Sequence, residues 1–422
     1  AQERLDFGAH SAQEPQHMKV ALIQETIEAA RGGAETSTRQ MASHLAALGL
    51  EVTVVCAAGA RQGALSAPFE EDEVSYRPLP ARGVSRTLRS QRFLRAAAGF
   101  CRTSQFDIVH AITPCAVADV YQPRGGTLPE TVRRSTAMVR RPLLRRLRHL
   151  GKLMNMRQRW LCAVERRLLA PGSEVHVAAL SEYVRRQVLT DYSVVPQRVH
   201  LIFNGVEVAA LEEPERAAHR AAVRTQLGIP EHAALVLFVA HNFRLKGLRE
   251  LIQAGALDRE DGPRWLLAVV GRDAPGQYLR LASRLGIADR VRFLGSQTDL
   301  RPWYAAADVL AHPTWYDPCS RVVLEALSLG LPVVTTRWNG AAEVLEPGKH
   351  GAVIETPADT AALAAAIAEA LDPAVRCACR ADAPRLRALV SMERHARQLL
   401  ALYEEILAAR GAGSAGWRAA TS

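Results

Sequence analysis

No stretch of the 422 residues approaches the roughly 20 consecutive apolar residues that a membrane-spanning helix requires. No charged start followed by an apolar core marks a secretory leader either, so a cytoplasmic chain is expected. The seven cysteines, Cys56, Cys101, Cys115, Cys162, Cys319, Cys377 and Cys379, form no CxxC pair and have no matched histidines. That pattern indicates neither a zinc site nor a disulfide framework, and it leaves most of these cysteines as small core residues. Aromatic residues make up only 5% of the chain and show no stacking pattern, which argues against a nucleic-acid binder despite a formal net charge of +10. Asp-x-Asp is absent as well, so a divalent cation held on paired aspartates is not expected.

What is present is a globular composition, 48% hydrophobic and 23% charged, on a chain long enough for two ordinary domains. Strand-length apolar blocks alternate with helical periodicity, which predicts an α/β fold with parallel sheets. Residues 1–17 are polar and aperiodic and are expected to be a disordered extension. The first domain is expected over 18–205 and the second over 206–382. A helix from about 383 to 410 would return to the first domain, followed by a flexible tail at 411–422.

Asp308 to Glu346 is the densest stretch. It predicts a strand over Val309–His312, a polar loop, a helix over about Ser320–Leu329, a Gly-Leu-Pro turn, a strand over Val333–Thr336 and a Gly-led helix. Asp317 and Glu325, eight residues apart, would face one crevice. The backbone amides at the helix start, around Cys319, Ser320, Arg321 and Val322, lack intrahelical partners and are suited to an anion such as a phosphate. Glu325 could hold vicinal hydroxyls and Asp317 hydroxyls on the other side of the phosphates. His241-Asn242-Phe243-Arg244-Leu245-Lys246-Gly247 follows another predicted strand and brings Arg244 and Lys246 to the same sheet end. Lys246 reads either as a solvated residue or as the counter-charge to a leaving diphosphate. Gly32 and Gly33, after the first strand, read either as a tight turn or as a loop whose amides approach a phosphate.

The run HPTWYDPCSRVVLEALSLGLPVV resembles the Glu-x7-Glu signature of the retaining family-four glycosyltransferases of GT-B architecture, with Asp317 at the first Glu. SEYVRRQV, VHLIFNGVE and HNFRLKG fall in the matching order, and the likeness spans roughly residues 18–410. Within the family it is most similar to the lipopolysaccharide core glucosyltransferase I group, through HNFRLKG and ADVYQPRGG. The resemblance implies two Rossmann-like domains facing across a cleft, with the first taking an acceptor and the second a nucleotide sugar. UDP-glucose is the implied donor and a glycan or glycolipid the implied acceptor. It also implies retention at the anomeric carbon, with no cofactor and no metal. The family's usual Arg falls at His241, which leaves Arg244 to take its role, and Gly271 and Arg272 would neighbour the nucleotide base.

Three further features each carry two readings. His110, near the end of a predicted strand, is a core histidine or, as the resemblance suggests, a donor-sugar contact. Asp119 is a helix cap, a partner for Arg124, or an acid near the cleft. Residues 131–167 hold twelve Lys or Arg against one acid, Glu165, around a near-helical apolar stripe. That region is a solvated face, or it docks on an anionic membrane or a phosphorylated acceptor. A GT-B nucleotide-sugar epimerase and a basic nucleic-acid-binding protein are the rival functions.

Overall fold

A computed structural model describes residues 18–27, 33–58, 67–139, 155–230, 233–257 and 265–419, with side chains to 411. The apolar blocks form two sheets. The first contains β1 (Lys19–Ile23), β2 (Glu51–Ala57), β3 (Phe69–Glu71), β4 (Val74–Leu79), β5 (Ile108–Ala111), β6 (Val120–Tyr121), β7 (His176–Ala179) and β8 (Val199–Leu201). Their spatial order is β3-β4-β2-β1-β5-β6-β7-β8, parallel except for the β3–β4 hairpin. The second contains β9 (Ala234–Val239), β10 (Trp265–Val270), β11 (Val291–Phe293), β12 (Val309–His312), β13 (Val333–Thr336) and β14 (Gly351–Ile354). It is parallel throughout, in the order β11-β10-β9-β12-β13-β14.

Both sheets are covered on two faces because their strands are apolar on both. In β1, Val20 and Leu22 enter one buried cluster and Ala21 and Ile23 the other. In β9, Leu235, Leu237 and Val239 face one way and Val236 and Phe238 the other. The helices that cover the first sheet are α1 (Gly33–Ala47), α2 (Arg86–Thr103), α3 (Leu128–Ala137), α4 (Met156–Leu168) and α5 (Glu182–Asp191). Around the second lie α6 (Glu213–Leu227), α7 (Leu248–Gly255), α8 (Gly276–Arg284), α9 (Arg301–Ala306), α10 (Arg321–Ser328), α11 (Thr360–Ala370) and α12 (Pro373–Leu389). The last helix, α13 (Met392–Ala419), returns to the first sheet. Met392, Ala396, Leu399, Leu402, Tyr403 and Ile406 recur at helical spacing and pack on Leu22, Val54 and Ile108.

Two expectations are corrected. The returning helix does not start near Ala383: α12 ends at Leu389, and the chain pairs with Val206 before α13 begins. Val206 donates to Val390 O at 2.9 Å and accepts from Met392 N at 3.0 Å. These backbone bonds outweigh helix continuity and interrupt it at Ser391. The Gly-led helix after β13 is a 3₁₀ turn over Gly340–Val344, capped by Asn339. Among the described residues no helix is long and apolar enough to cross a membrane.

Strand order changes direction beside β1 in the first sheet and beside β9 in the second. Beyond the carboxyl ends of strands at such a switch point the loops part and leave a crevice where ligands bind. The loops after β9 and β12 meet there in the second sheet, and those after β1 and β5 in the first.

Candidate active site

Lys246 and Asp317 meet at the second sheet's crevice. Lys246 Nζ donates to Asp317 Oδ2 at 2.6 Å and to Tyr316 O at 3.1 Å, and the two side chains are only 18% and 14% exposed. Gly247 makes that approach possible. It adopts φ +81°, and a Cβ there would lie 2.1 Å from Pro313 O, so no larger residue lets the two loops close. His312, the last residue of β12, places Nε2 3.6 Å from Asp317 Oδ2 and 3.4 Å from Ser320 Oγ. Burial alone would raise the Asp317 pKa; Lys246 and His312 outweigh it and hold the carboxyl well below the usual range. Burial also lowers the His312 pKa and keeps its ring neutral near pH 7.

Glu325 lies on α10, four residues beyond Arg321. Its Oε2 accepts from the Tyr304 hydroxyl at 3.0 Å and its Oε1 from Arg321 Nη2 at 3.2 Å. Arg321 also donates from Nη1 to Gln40 Oε1 at 2.8 Å, crossing from α10 to α1. Its Cδ would be 3.4 Å from a Cβ at Gly33, so the glycine loop and the acidic helix do converge. Gly32 lies outside the described residues.

The start of α10 differs in part from expectation. Ser320 N–H is occupied by Asn339 Oδ1 at 3.1 Å, while its hydroxyl turns to His312 rather than capping the helix. Cys319 contributes to the core, and its carbonyl accepts from Asn204 Nδ2 at 3.1 Å. Arg321 and Val322 open the helix proper, with Val322 partly packed on the core. Arg244, His241 and Arg272 are exposed at the neighbouring strand ends. Burial first, then the nearby Arg272, lowers the His241 pKa. Gly271 has a backbone reason: φ is +149°, and a Cβ would meet Ala240 O at 1.8 Å.

Of two further expected cleft residues, one is buried at the carboxyl end of its strand and the other lies away from the cleft. His110 is fully buried and its Nδ1 meets the Tyr403 hydroxyl at 2.6 Å, because its place in β5 points it at α13. Burial, then Arg124, lowers its pKa to about 3. Asp119 stands at the amino-terminal end of the first sheet, opposite the cleft. It accepts from Val109 N–H at 2.6 Å and pairs with Arg410, not with Arg124. In the basic region, Arg133 pairs with Glu130 and Asp191, and Arg157 with Glu25. Arg134 stacks 3.5 Å from the Trp338 ring centroid on the second domain. Residues 140–154 lie outside the described residues.

Several site residues escaped sequence reading, namely Tyr304, His312, Asn339, Gln40 and Arg124. His312 had a usable signal, a polar residue ending a buried strand at a switch point. The domains also touch where Glu343 accepts from Glu182 N and Tyr183 N at 2.7 Å each, across the open end of α5. Away from the cleft, Glu346, His350 and Asp382 gather metal-type ligand atoms, but Lys349 and Arg385 already engage those carboxylates.

Two doubly wound sheets facing across a cleft, with a lysine–aspartate pair at one switch point and a glycine-started helix opposite, make up the GT-B fold. Residues 31–210 match Glycosyltransferase Family 4 and residues 233–373 match Glycosyl transferases group 1, and the chain belongs to these glycosyltransferases. It is 30% identical over 205 residues to the lipopolysaccharide glucosyltransferase WaaG of Escherichia coli (strain K12), covering 48% of this chain and 55% of that one. It is 33% identical over 235 residues to a D-inositol 3-phosphate glycosyltransferase of Salinispora arenicola (strain CNS-205), covering 52% of each. The chain thus spans about half the length of the curated relatives it matches. Among solved structures, WaaG superposes with a TM-score of 0.72 at 24% identity, over 90% of this chain and 98% of that one. The Anabaena protein Alr3699/HepE in complex with UDP and glucose gives 0.68 at 20% identity, over 92% and 100%.

Proposed function

We propose that the protein moves a hexose, glucose in the first instance, from a nucleotide diphosphate sugar to a hydroxyl of a glycan or glycolipid acceptor such as lipopolysaccharide core. The anomeric configuration is retained and no divalent cation takes part. The observation that carries this reading is the Lys246–Asp317 pair at the β9–β12 switch point, facing Gly33 and α1 across the cleft. A lysine so placed can neutralise charge growing on a departing diphosphate, with the uncapped start of α10 adding partial positive charge. Glu325, already a hydrogen-bond acceptor for Tyr304, is suited to a ribose diol. Asp317 is held ionised and can accept from sugar hydroxyls. No side chain is needed as nucleophile: the leaving phosphate takes the acceptor proton while the residues hold both reactants in register. WaaG by name is a lipopolysaccharide glucosyltransferase, which supports glucose and a lipopolysaccharide acceptor; UDP is supported by the HepE complex.

The test is incubation with UDP-glucose and lipopolysaccharide-core acceptor in EDTA, followed by proton NMR of the product. An α-linked product is expected. A β-linked product, or activity lost on chelation and restored by manganese, overturns retention or metal independence respectively. Conversion of donor alone to its epimer would favour the epimerase reading.

A further inference from the structure

Arg124 plays no part in the reaction proposed above, yet its placement is costly. It lies on the loop after β6 and is 9% exposed. Its guanidinium donates from Nε to Gln122 Oε1 at 2.9 Å, from Nη1 to Ser37 Oγ, and from Nη2 to Met41 Sδ at 3.2 Å. All three partners are neutral, and among the described residues no carboxylate pairs with it. The layer behind it is neutral too. His395 sits between Gln122 Nε2 at 3.3 Å and Phe203 O at 2.9 Å, and His110 meets Tyr403. Burial, then Arg124, pushes both histidines well below the ordinary range, so neither supplies charge near neutral pH. A cation taken out of water without an anion costs several kcal/mol.

A second guanidinium stands nearby. Gly33, Ser37, Gln40 and Met41 fall at helical spacing on one face of α1. Arg124 holds Ser37 and Met41, and Arg321 reaches Gln40 from the opposite domain. Burial and then Arg321 lower the Arg124 pKa to about 9. Glu325 balances Arg321, so the pair keeps one uncompensated positive charge. The next residue, Gly125, accepts from the Tyr316 hydroxyl at 3.2 Å, which sets Arg124 beside the loop that carries Asp317.

We propose that Arg124 and Arg321 form an anion-binding floor on the acceptor side of the cleft, which takes a phosphate group carried by the acceptor. This rests on the glycosyl-transfer reading and narrows its acceptor class. The donor diphosphate has Lys246 and Arg244 on the second sheet, whereas Arg124 belongs to the first sheet. Guanidinium groups suit phosphate because they present paired donors in a plane.

The test is calorimetric titration of the full chain with inorganic phosphate at saturating UDP. Wild type is expected to bind phosphate with UDP in place. Arg124→Met should weaken phosphate about tenfold or more and leave UDP affinity unchanged. It should also melt no lower than wild type, since an uncompensated charge leaves the interior. Arg124→Lys keeps the charge but loses the fork. It should fall between the two, and it carries the test if the Met variant does not fold. Phosphate displaced by UDP would assign the cations to the donor's own diphosphate and overturn the proposal. Phosphate affinity unaltered by either substitution would overturn it too. UDP that binds no form of the protein would instead strike the glycosyl-transfer reading itself.

Discussion

The two sides of the cleft hold their charges in opposite ways. On the second-sheet side the acids have partners within the protein: Asp317 has Lys246, and Glu325 has Arg321 and Tyr304. On the first-sheet side Arg124 leans on an amide, a hydroxyl and a thioether. An internally paired site is stable when empty and binds by exchanging partners, so removing one partner leaves the other buried and uncompensated. A buried cation with only neutral partners costs the fold free energy, so removing it relieves the fold and harms only binding. The comparison separates residues whose loss should hurt stability and function together from a residue whose loss should split them.

The largest effect is expected at Lys246. Lys246→Ala should lower turnover by about 10²-fold or more through lost leaving-group stabilisation. It should also destabilise the fold by about 3 kcal/mol, since a nearly buried Asp317 keeps its charge without its main partner. The sign with pH follows from the lowered Asp317 pKa. Its stabilisation is fully present above the unfolded value of about 4 and fades as pH falls below that. Without Lys246 the acid-unfolding midpoint should move to higher pH; a midpoint that stays put in circular-dichroism titrations would refute the pairing argument.

Glu325→Ala comes next and should weaken UDP by about 1–3 kcal/mol. Calorimetry that finds UDP affinity intact would remove Glu325 from the nucleotide. Asp317→Glu puts back the family's usual acid, yet the shorter side chain already sits 2.6 Å from Lys246 Nζ. The extra methylene should lower the rate and cost about 1–3 kcal/mol as overpacking; a faster enzyme in steady-state assays would show the fit to be loose. Smallest is Tyr316→Phe, which deletes one hydrogen bond to Gly125 O and should cost about 0.5–1.5 kcal/mol by thermal denaturation. A larger loss would mean that this contact governs how the two sides meet.

Sequence showed the parts whose information is local. The block β9 is a continuous apolar run, β12 and β13 open on apolar pairs and close on His312 and Thr335–Thr336, and the strand-loop-helix around Asp317 and Glu325 is legible within a few dozen residues. The β3–β4 hairpin is not legible in the sequence because its turn places Asp72 and Glu73 at φ +49° and +61° with no glycine to mark it. The surroundings of His110 and the place of Asp119 are not legible for a different reason. The partner of His110 is Tyr403, 293 residues away, and Asp119 precedes its short strand rather than ending it, which puts it at the wrong end of the sheet. Arg124 is harder still, since what distinguishes it is burial among an amide, a hydroxyl and a thioether, and no motif spells that out.

The double passage of the chain between the sheets has a mechanical meaning. Val206 and Ser391 run side by side and are stitched by the bonds from Val206 to Val390 and from Met392 to Val206. Two parallel lengths of backbone make a ribbon rather than a thread, and a ribbon folds across its width but resists being wrung. The two halves are thereby tied at that ribbon, and Glu343, accepting from the amides of Glu182 and Tyr183, ties them at a second place. Arg321, bonded to Gln40 on α1, is a third tie, so the register of the two faces is fixed at three separate places.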